Sequence, residues 1–348
     1  MINQQMPLRV QVLRGKIVES EHDVLAAFWK PQQGLVGHAG DPESIVLPRS
    51  AIKMLQALPL VESGAHAHFQ LTKSMLALAC SSHHGEKIHL DLLNEWMARV
   101  NPTSELNLQE SSLACGPHMP YNSQSAEELI RKGQGACRFH NNCSGKHFGF
   151  LTTSLFYGET LKNYHLEAHP SQRRVRQALS EVMGVDLARA GWGVDGCGIP
   201  TYGIPLQNIA RGIGALSDET LPLPRRQAAT QIREACFEFP ELLSGTKDWA
   251  TEVIRKGDGK VLLKVGAEGV LCGLLPQLQI SFALKTVDGN GRAVQAVAFE
   301  ILKSYGVFTE KTAKEIWDSF GGQIKNTLHE VVGEISVLTK NYSQEDGH

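Results

Sequence analysis

The chain lacks an excess of charge of either sign: 34 Lys and Arg stand against 36 Asp and Glu, a formal net charge of -2 over 348 residues. With no basic surplus and no long charge run, neither nucleic acid nor a membrane surface is expected as a partner. Long hydrophobic runs are missing as well, and the apolar stretches are too short to span a bilayer. The first residues, MINQQMPLRVQV, carry no apolar segment behind a basic start, so no secretory leader is expected. The seven cysteines, at 80, 115, 137, 143, 197, 236 and 272, contain no C-x-x-C pair. An odd number without a leader predicts reduced thiols in a cytoplasmic protein rather than a disulfide framework. Internal repeats are absent. What is present is ordinary globular composition, 42% hydrophobic and 20% charged, in a chain long enough for two lobes.

Strand signals lie at both ends. LRVQVLRG, KIVESEH and DVLAAFW, within 8–38, read as strands, and GHAGDPES as a loop. Ile52, Leu55 and Leu58 recur at helical spacing from Ser50, and Pro59 must kink or end that helix. From about 70 to 240 the pattern is mostly helical, with candidates at 72–79, 86–98, 124–132, 146–157, 171–183 and 225–237 and a linker at 221–224. KVLLKVGAEGVLCGLLPQLQISFALKTVDG then gives three apolar runs split by Gly and Pro, a meander. The helix AVQAVAFEILKSYGV follows, and a frayed tail is expected from Lys340 onward. The simplest architecture is α+β. One antiparallel sheet, flanked by helices, is built from 1–55 and 245–348; 56–244 forms a mainly helical lobe, with a cleft between.

Several motifs carry chemistry. LPRSAIKMLQALPL contains Ser50 and Lys53 as S-x-x-K, a spacing that puts both side chains on one helix face. A serine needs a neighbouring base, and a lysine serves if burial or a nearby cation disfavours its charge. A capping Ser and a solvated Lys explain the same four residues without chemistry. CSSHHGE, at 80–86, brings two serines and two histidines into a loop. In LLKVGAEG, Lys264 interrupts an apolar strand and Gly266 allows close backbone approach; an edge-strand lysine is the plainer alternative. S-x-x-K, a serine loop and K-x-G is the order of serine β-lactamases and penicillin-binding proteins, although CSSHHG has no Asn at the third place of S-D-N. HNNCSGKH, at 140–147, is the densest block, followed by an apolar helix whose N-terminus could take an anion. GVDGCGIPTYGIPL sets Asp195 and Cys197 among glycines, and CGPHMP is a third such loop. Cys143 and Cys197 are conceivable zinc ligands by type, though not by spacing.

Taken in order, PRSAIKMLQALPL, CSSHHGE, CGPHMP, HNNCSGKHFGFL, DGCGIPTYGIPL and LLKVGAEGV resemble the Rhizobium etli-type L-asparaginases (asparaginase II) from about 8 to 335. The resemblance implies a serine β-lactamase-like fold and hydrolysis of L-asparagine to aspartate and ammonia. It implies Ser50 as nucleophile with Lys53 as its base, and Ser82 with Lys264 as a second pair that passes a proton to the leaving group. Cys143, Lys146 and Cys197 would hold zinc, in a modulatory or structural role. Arg49, His140, Asn142, His147 and Asp195 would shape the substrate pocket, Arg49 and Asp195 gripping the two charges of the amino acid. Backbone N–H groups at Ser50 and on the strand after Lys264 are the expected oxyanion donors. His84 stands where many members have a small residue. The alternatives are a glutaminase or broader amidase, a penicillin-binding or β-lactamase role, and a metal-binding homologue without catalysis. A homodimer is expected on general grounds.

Overall fold

Strands from opposite ends of the chain join in one sheet. The computed structural model describes residues 2–101 and 108–338; the tail from Lys340 lies outside them. At the centre is the 14-residue strand Ile17–Lys30. One of its edges pairs antiparallel with Leu8–Arg14 and then with Gly34–Ala39. The other takes the late strand Ile280–Thr286, with Ala27 opposite Ala283. Val270–Leu275 and Leu262–Val265 continue the sheet on that side, and Val331–Leu338 and Gln323–Lys325 extend it beyond Leu8–Arg14. The short strand Asn3–Gln4 adds to Gly34–Ala39 in parallel.

The central strand corrects one expectation. Its polar run Ser20–Asp23 reads as a break between two strands, yet the backbone continues. Its polar residues are all partnered: Gln11 Nε2 donates to Glu21 Oε1 at 2.7 Å and Arg9 Nε to Asp23 Oδ1 at 3.1 Å across the pair, while His22 bonds Ser20 at 3.3 Å and Asp288 at 2.6 Å. Cross-strand pairs of this kind stabilise a solvated sheet end by ~0.2–1 kcal/mol each. Further along, Val24, Ala26 and Phe28 turn into the core. GHAGDPES is likewise not wholly a loop, since Gly37, His38 and Ala39 belong to a strand.

All six residues of Val270–Leu275 are buried, so both faces of that strand are covered. Helices Gly291–Ser304 and Leu206–Gly214 pack on this region, and Ser281 Oγ donates to Ala210 O at 2.7 Å. The middle of the chain thus contributes a helix to the sheet. It also holds two small antiparallel pairs, Ile45–Val46 with Ile204–Pro205 and Trp192–Val194 with Pro200–Tyr202. We keep the partition at 55 and 245 as a proposal.

The middle helices lie close to their expected places: Lys73–Ala79, Lys87–Val100, Ser123–Arg131, Ser144–Phe156, Pro170–Met183 and Leu223–Glu238. The last begins inside the expected linker, with Pro224 at an initial position that needs no N–H bond. Pro59 likewise sits at the start of a new turn, Leu58–Glu62, after Lys53–Gln56 has ended. Helix Ser144–Phe156 is the hub, with every residue from Ser144 to Ser154 buried. Gly145 makes this possible: a Cβ there would stand 2.1 Å from the Leu78 carbonyl oxygen at the end of Lys73–Ala79. That contact ties the HNNCSGKH block to the serine loop that follows Leu78.

Candidate active site

The S-x-x-K segment begins under backbone strain. Arg49 has φ +47° and opens a single 3-10 turn, Arg49–Ile52, that runs into Lys53–Gln56. A non-glycine residue in the left-handed region persists only where its surroundings hold it. Here the Arg49 side chain is anchored, Nε to Asp195 Oδ1 at 2.8 Å and Nη2 to the same oxygen at 2.7 Å. Strand Leu262–Val265 leads to Gly266, where a Cβ would meet Pro48 O at 2.9 Å and Ala51 N at 3.1 Å. What approaches this glycine is the chain's own Arg49–Ile52 turn.

Ser82 is fixed by its neighbours' backbones. Helix Lys73–Ala79, capped by Thr72, ends just before it. Ser82 N then donates to Leu243 O at 2.7 Å and His84 N to Ser244 O at 2.8 Å. The Ser82 hydroxyl stands between two amines, with Lys53 Nζ at 3.0 Å and Lys264 Nζ at 3.0 Å. Lys53 is fully buried and also bonds Ser81 O at 2.5 Å, Asn142 O at 3.5 Å and Cys143 Sγ at 3.2 Å. The Lys53 backbone N–H bonds Ser50 O, but the Ser50 hydroxyl is not among the partners of the amine, so the side-chain contact expected from the spacing is not formed. The reason is reach: the lysine stem extends past the first turn and delivers its amine to the serine loop.

Burial pushes the Lys53 amine below its ordinary value, with the Lys146 charge adding to the fall and the Cys143 and Cys197 sulfurs opposing it. Lys264, 1% exposed, is pushed down to about 7 by burial and then by Lys53. The Lys53 charge thus disfavours the charged form of Lys264. A hydroxyl within bonding distance of a neutral amine is the arrangement that serine nucleophiles and serine proton relays require.

These groups open onto a cleft of roughly 380 Å³ whose lining includes Arg49, Ser50, Ser82, Asn142, Cys143, Asp195, Cys197 and Lys264. His140 and His147 are not part of it, and this corrects their expected place in the substrate pocket. His140 accepts Cys137 N–H at its Nδ1 and closes a local turn, while His147 is fully buried against the Tyr164 hydroxyl at 2.6 Å. His140 is held by its own Arg138–His140 turn, and His147 is turned inward by the hub helix. Gly266 N–H, a candidate oxyanion donor, is already given to Val270 O at 2.8 Å. The lining also includes His84, His118, Tyr121, Ser244, Asp248 and Gln295. Of these, Tyr121, Ser244, Asp248 and Gln295 carried no motif. Asp248 caps the helix Trp249–Lys256: its Oδ1 accepts Ala250 N at 2.9 Å.

Among the described residues no three His, Cys, Asp or Glu side chains converge as a metal group. Cys143, Lys146 and Cys197 do converge. Lys146 Nζ is 3.1 Å from Cys197 Sγ, and the two thiols are hydrogen-bonded, with all three residues buried. The Cys143 thiol as donor, together with the Lys146 charge, lowers Cys197 to about 5 despite burial, whereas that same bond and burial raise Cys143 to about 12. Burial works against the Lys146 charge, but the two sulfurs and Asp195 outweigh it and hold its value up. Two cysteine sulfurs are donors of the kind zinc takes, whereas the Lys146 amine, held charged by those sulfurs, would have to give up its proton to join them.

A profile of the family described as L-asparaginase II matches residues 10–337. The chain belongs to this family. An asparaginase II chain of this kind is an amidohydrolase, and an amide is its substrate class. No curated protein matches it. Among solved structures, a beta-lactamase from Mycobacterium bovis is 12% identical, with TM-score 0.40 over 81% of this chain and 94% of that one. The octameric penicillin-binding protein homologue from Pyrococcus abyssi is 11% identical, with TM-score 0.33 over 88% of this chain and 79% of that one. No helix among the described residues is long and apolar enough to cross a membrane.

Proposed function

We propose that this asparaginase II chain hydrolyses L-asparagine to aspartate and ammonia through a serine acyl-enzyme. The observation that carries the reading is the Ser82 hydroxyl held by two buried lysine amines on the floor of a cleft. Ser50 attacks the side-chain amide carbon, and Lys53 takes its proton once the Ser50 hydroxyl swings to the amine. The relay Lys53–Ser82–Lys264 is already joined, and it carries the proton to the departing ammonia. Water then opens the ester by the same route in reverse. Removing one oxyanion donor in such a reaction costs ~100–1000-fold in rate. The Ser50 N–H is the donor we retain.

A second reading has its own support. Ser82, not Ser50, has bases within bonding distance, so Ser82 itself attacks with Lys264 as base. The two readings part on the Ser50→Ala variant, assayed by ammonia release from asparagine. Loss of turnover supports Ser50 as nucleophile; near-normal turnover moves the attack to Ser82. Asparagine and glutamine differ by one methylene, worth only about 1–3 kcal/mol in a pocket, so both amides belong in that assay.

Arg49 lies in the cleft with 30% of its side chain exposed, well placed for a substrate carboxylate. Zinc would be held by Cys143, Lys146 and Cys197, where it would stabilise both thiolates and tie the 192–202 hairpin to the hub helix. This role is structural or modulatory, because the serine route needs no metal. We further propose a cytoplasmic homodimer.

A further inference from the structure

An amino-acid substrate brings an ammonium as well as a carboxylate, and the cleft must answer it. Among the described residues that line it, the carboxylates are Asp195 and Asp248. Asp195 is committed elsewhere. One of its oxygens takes Arg49 twice and also Gly196 N at 2.8 Å, and its side chain is only 7% exposed. It holds the arginine in its strained turn and has little surface for a ligand.

Asp248 is different. Its side chain is 25% exposed in the cleft wall. The cap bond from Ala250 N fixes one oxygen, so the carboxylate is oriented before any ligand arrives. The other oxygen, Oδ2, faces His84 Nε2 at 3.7 Å, beyond hydrogen-bond distance, and keeps its acceptor capacity. Tyr121 packs edge-on against the His84 ring with centroids 6.0 Å apart, limiting that ring's movement. Asp248 also sits within electrostatic reach of the catalytic floor, since its charge acts upward on the Lys264 amine.

We propose that Asp248, oriented by its helix cap and flanked by His84, is the group that receives the α-ammonium of the substrate and restricts the site to α-amino-acid amides. This rests on the amidase reading above and reassigns to Asp248 the role first expected of Asp195. Arg49 and Asp248 then form the two charged jaws of the cleft, with the reacting amide directed at the serine–lysine floor.

Asp248→Asn tests it, because Asn caps a helix as well as Asp and keeps the fold. The probes are L-asparagine and succinamate, its analogue without the ammonium. The preference for asparagine in kcat/KM should fall by roughly 10–100-fold in the variant, the worth of a hydrogen bond to a charged group. Any change routed through Lys264 affects both amides alike and cancels from that ratio. Equilibrium binding of L-aspartate against succinate reads the same preference without turnover. If the wild type releases no ammonia yet the variant loses its preference for aspartate, the hydrolysis reading falls and the ammonium site stands. An unchanged preference in both the kinetic and the binding comparison overturns the assignment.

Discussion

Replacing Lys264 by Met should make the protein more stable at neutral pH while abolishing ammonia release. The lysine is 1% exposed, and burial with the nearby Lys53 brings its amine down to about 7. In the unfolded chain the same amine titrates near ~10.4. Between these values the unfolded chain holds a proton that the folded chain has shed, so stability rises with pH across that window and is lost as pH falls towards 7. A difference of ~3.5 pH units at ~1.4 kcal/mol each makes the burden ~5 kcal/mol once pH falls below 7. Met fills a similar volume without it. The variant forfeits the bonds from Nζ to Ser82 Oγ at 3.0 Å and Val265 O at 3.1 Å, about 1 kcal/mol each. The net expectation is a gain of ~3 kcal/mol near pH 6.5, turning into a small loss near pH 10. Urea unfolding of both proteins at the two pH values measures it. Equal destabilisation of the variant at both would mean that Lys264 is charged and satisfied in the fold, and would refute the reasoning.

The same titration governs activity. Below about 7 the Lys264 amine holds its proton, so kcat/KM for asparagine should climb as pH rises through that value; a profile flat from pH 5 to 8 contradicts a working neutral amine. Gly145→Ala places a Cβ against the Leu78 carbonyl at 2.1 Å, which should cost ~1–3 kcal/mol by overpacking and shift Ser82, seen as lowered urea midpoint and turnover together. Cys197→Ser should lower the zinc content of the purified protein, read by elemental analysis; unchanged zinc would place the metal elsewhere.

Much of this was written in the sequence because residue type and period carry it. The strand runs near each end had to find partners, and Ala27 opposite Ala283 is where they do. The motif blocks also declared themselves, since Ser50, Ser82, Asn142, Cys143, Asp195, Cys197 and Lys264 all border one cleft. Depth and reach were not legible. Nothing in S-x-x-K says that the Lys53 amine passes Ser50 and ends on Ser82. The family resemblance made His140 and His147 pocket residues, but a local turn for His140 and the buried hub helix for His147 decide which way these side chains face. Asp248 was hidden for the opposite reason: a capping aspartate looks purely structural, and only the fold brings its second oxygen into the cleft wall.

The central claim is that a serine hydroxyl, freed of its proton by a buried neutral lysine, becomes acylated by the substrate. Rapid acid quenching during turnover of L-asparagine, followed by peptide mass mapping, tests it most directly. An aspartyl ester on Ser50, absent from Ser50→Ala, is the predicted result; a chain that stays unmodified at both Ser50 and Ser82 while ammonia accumulates would contradict it.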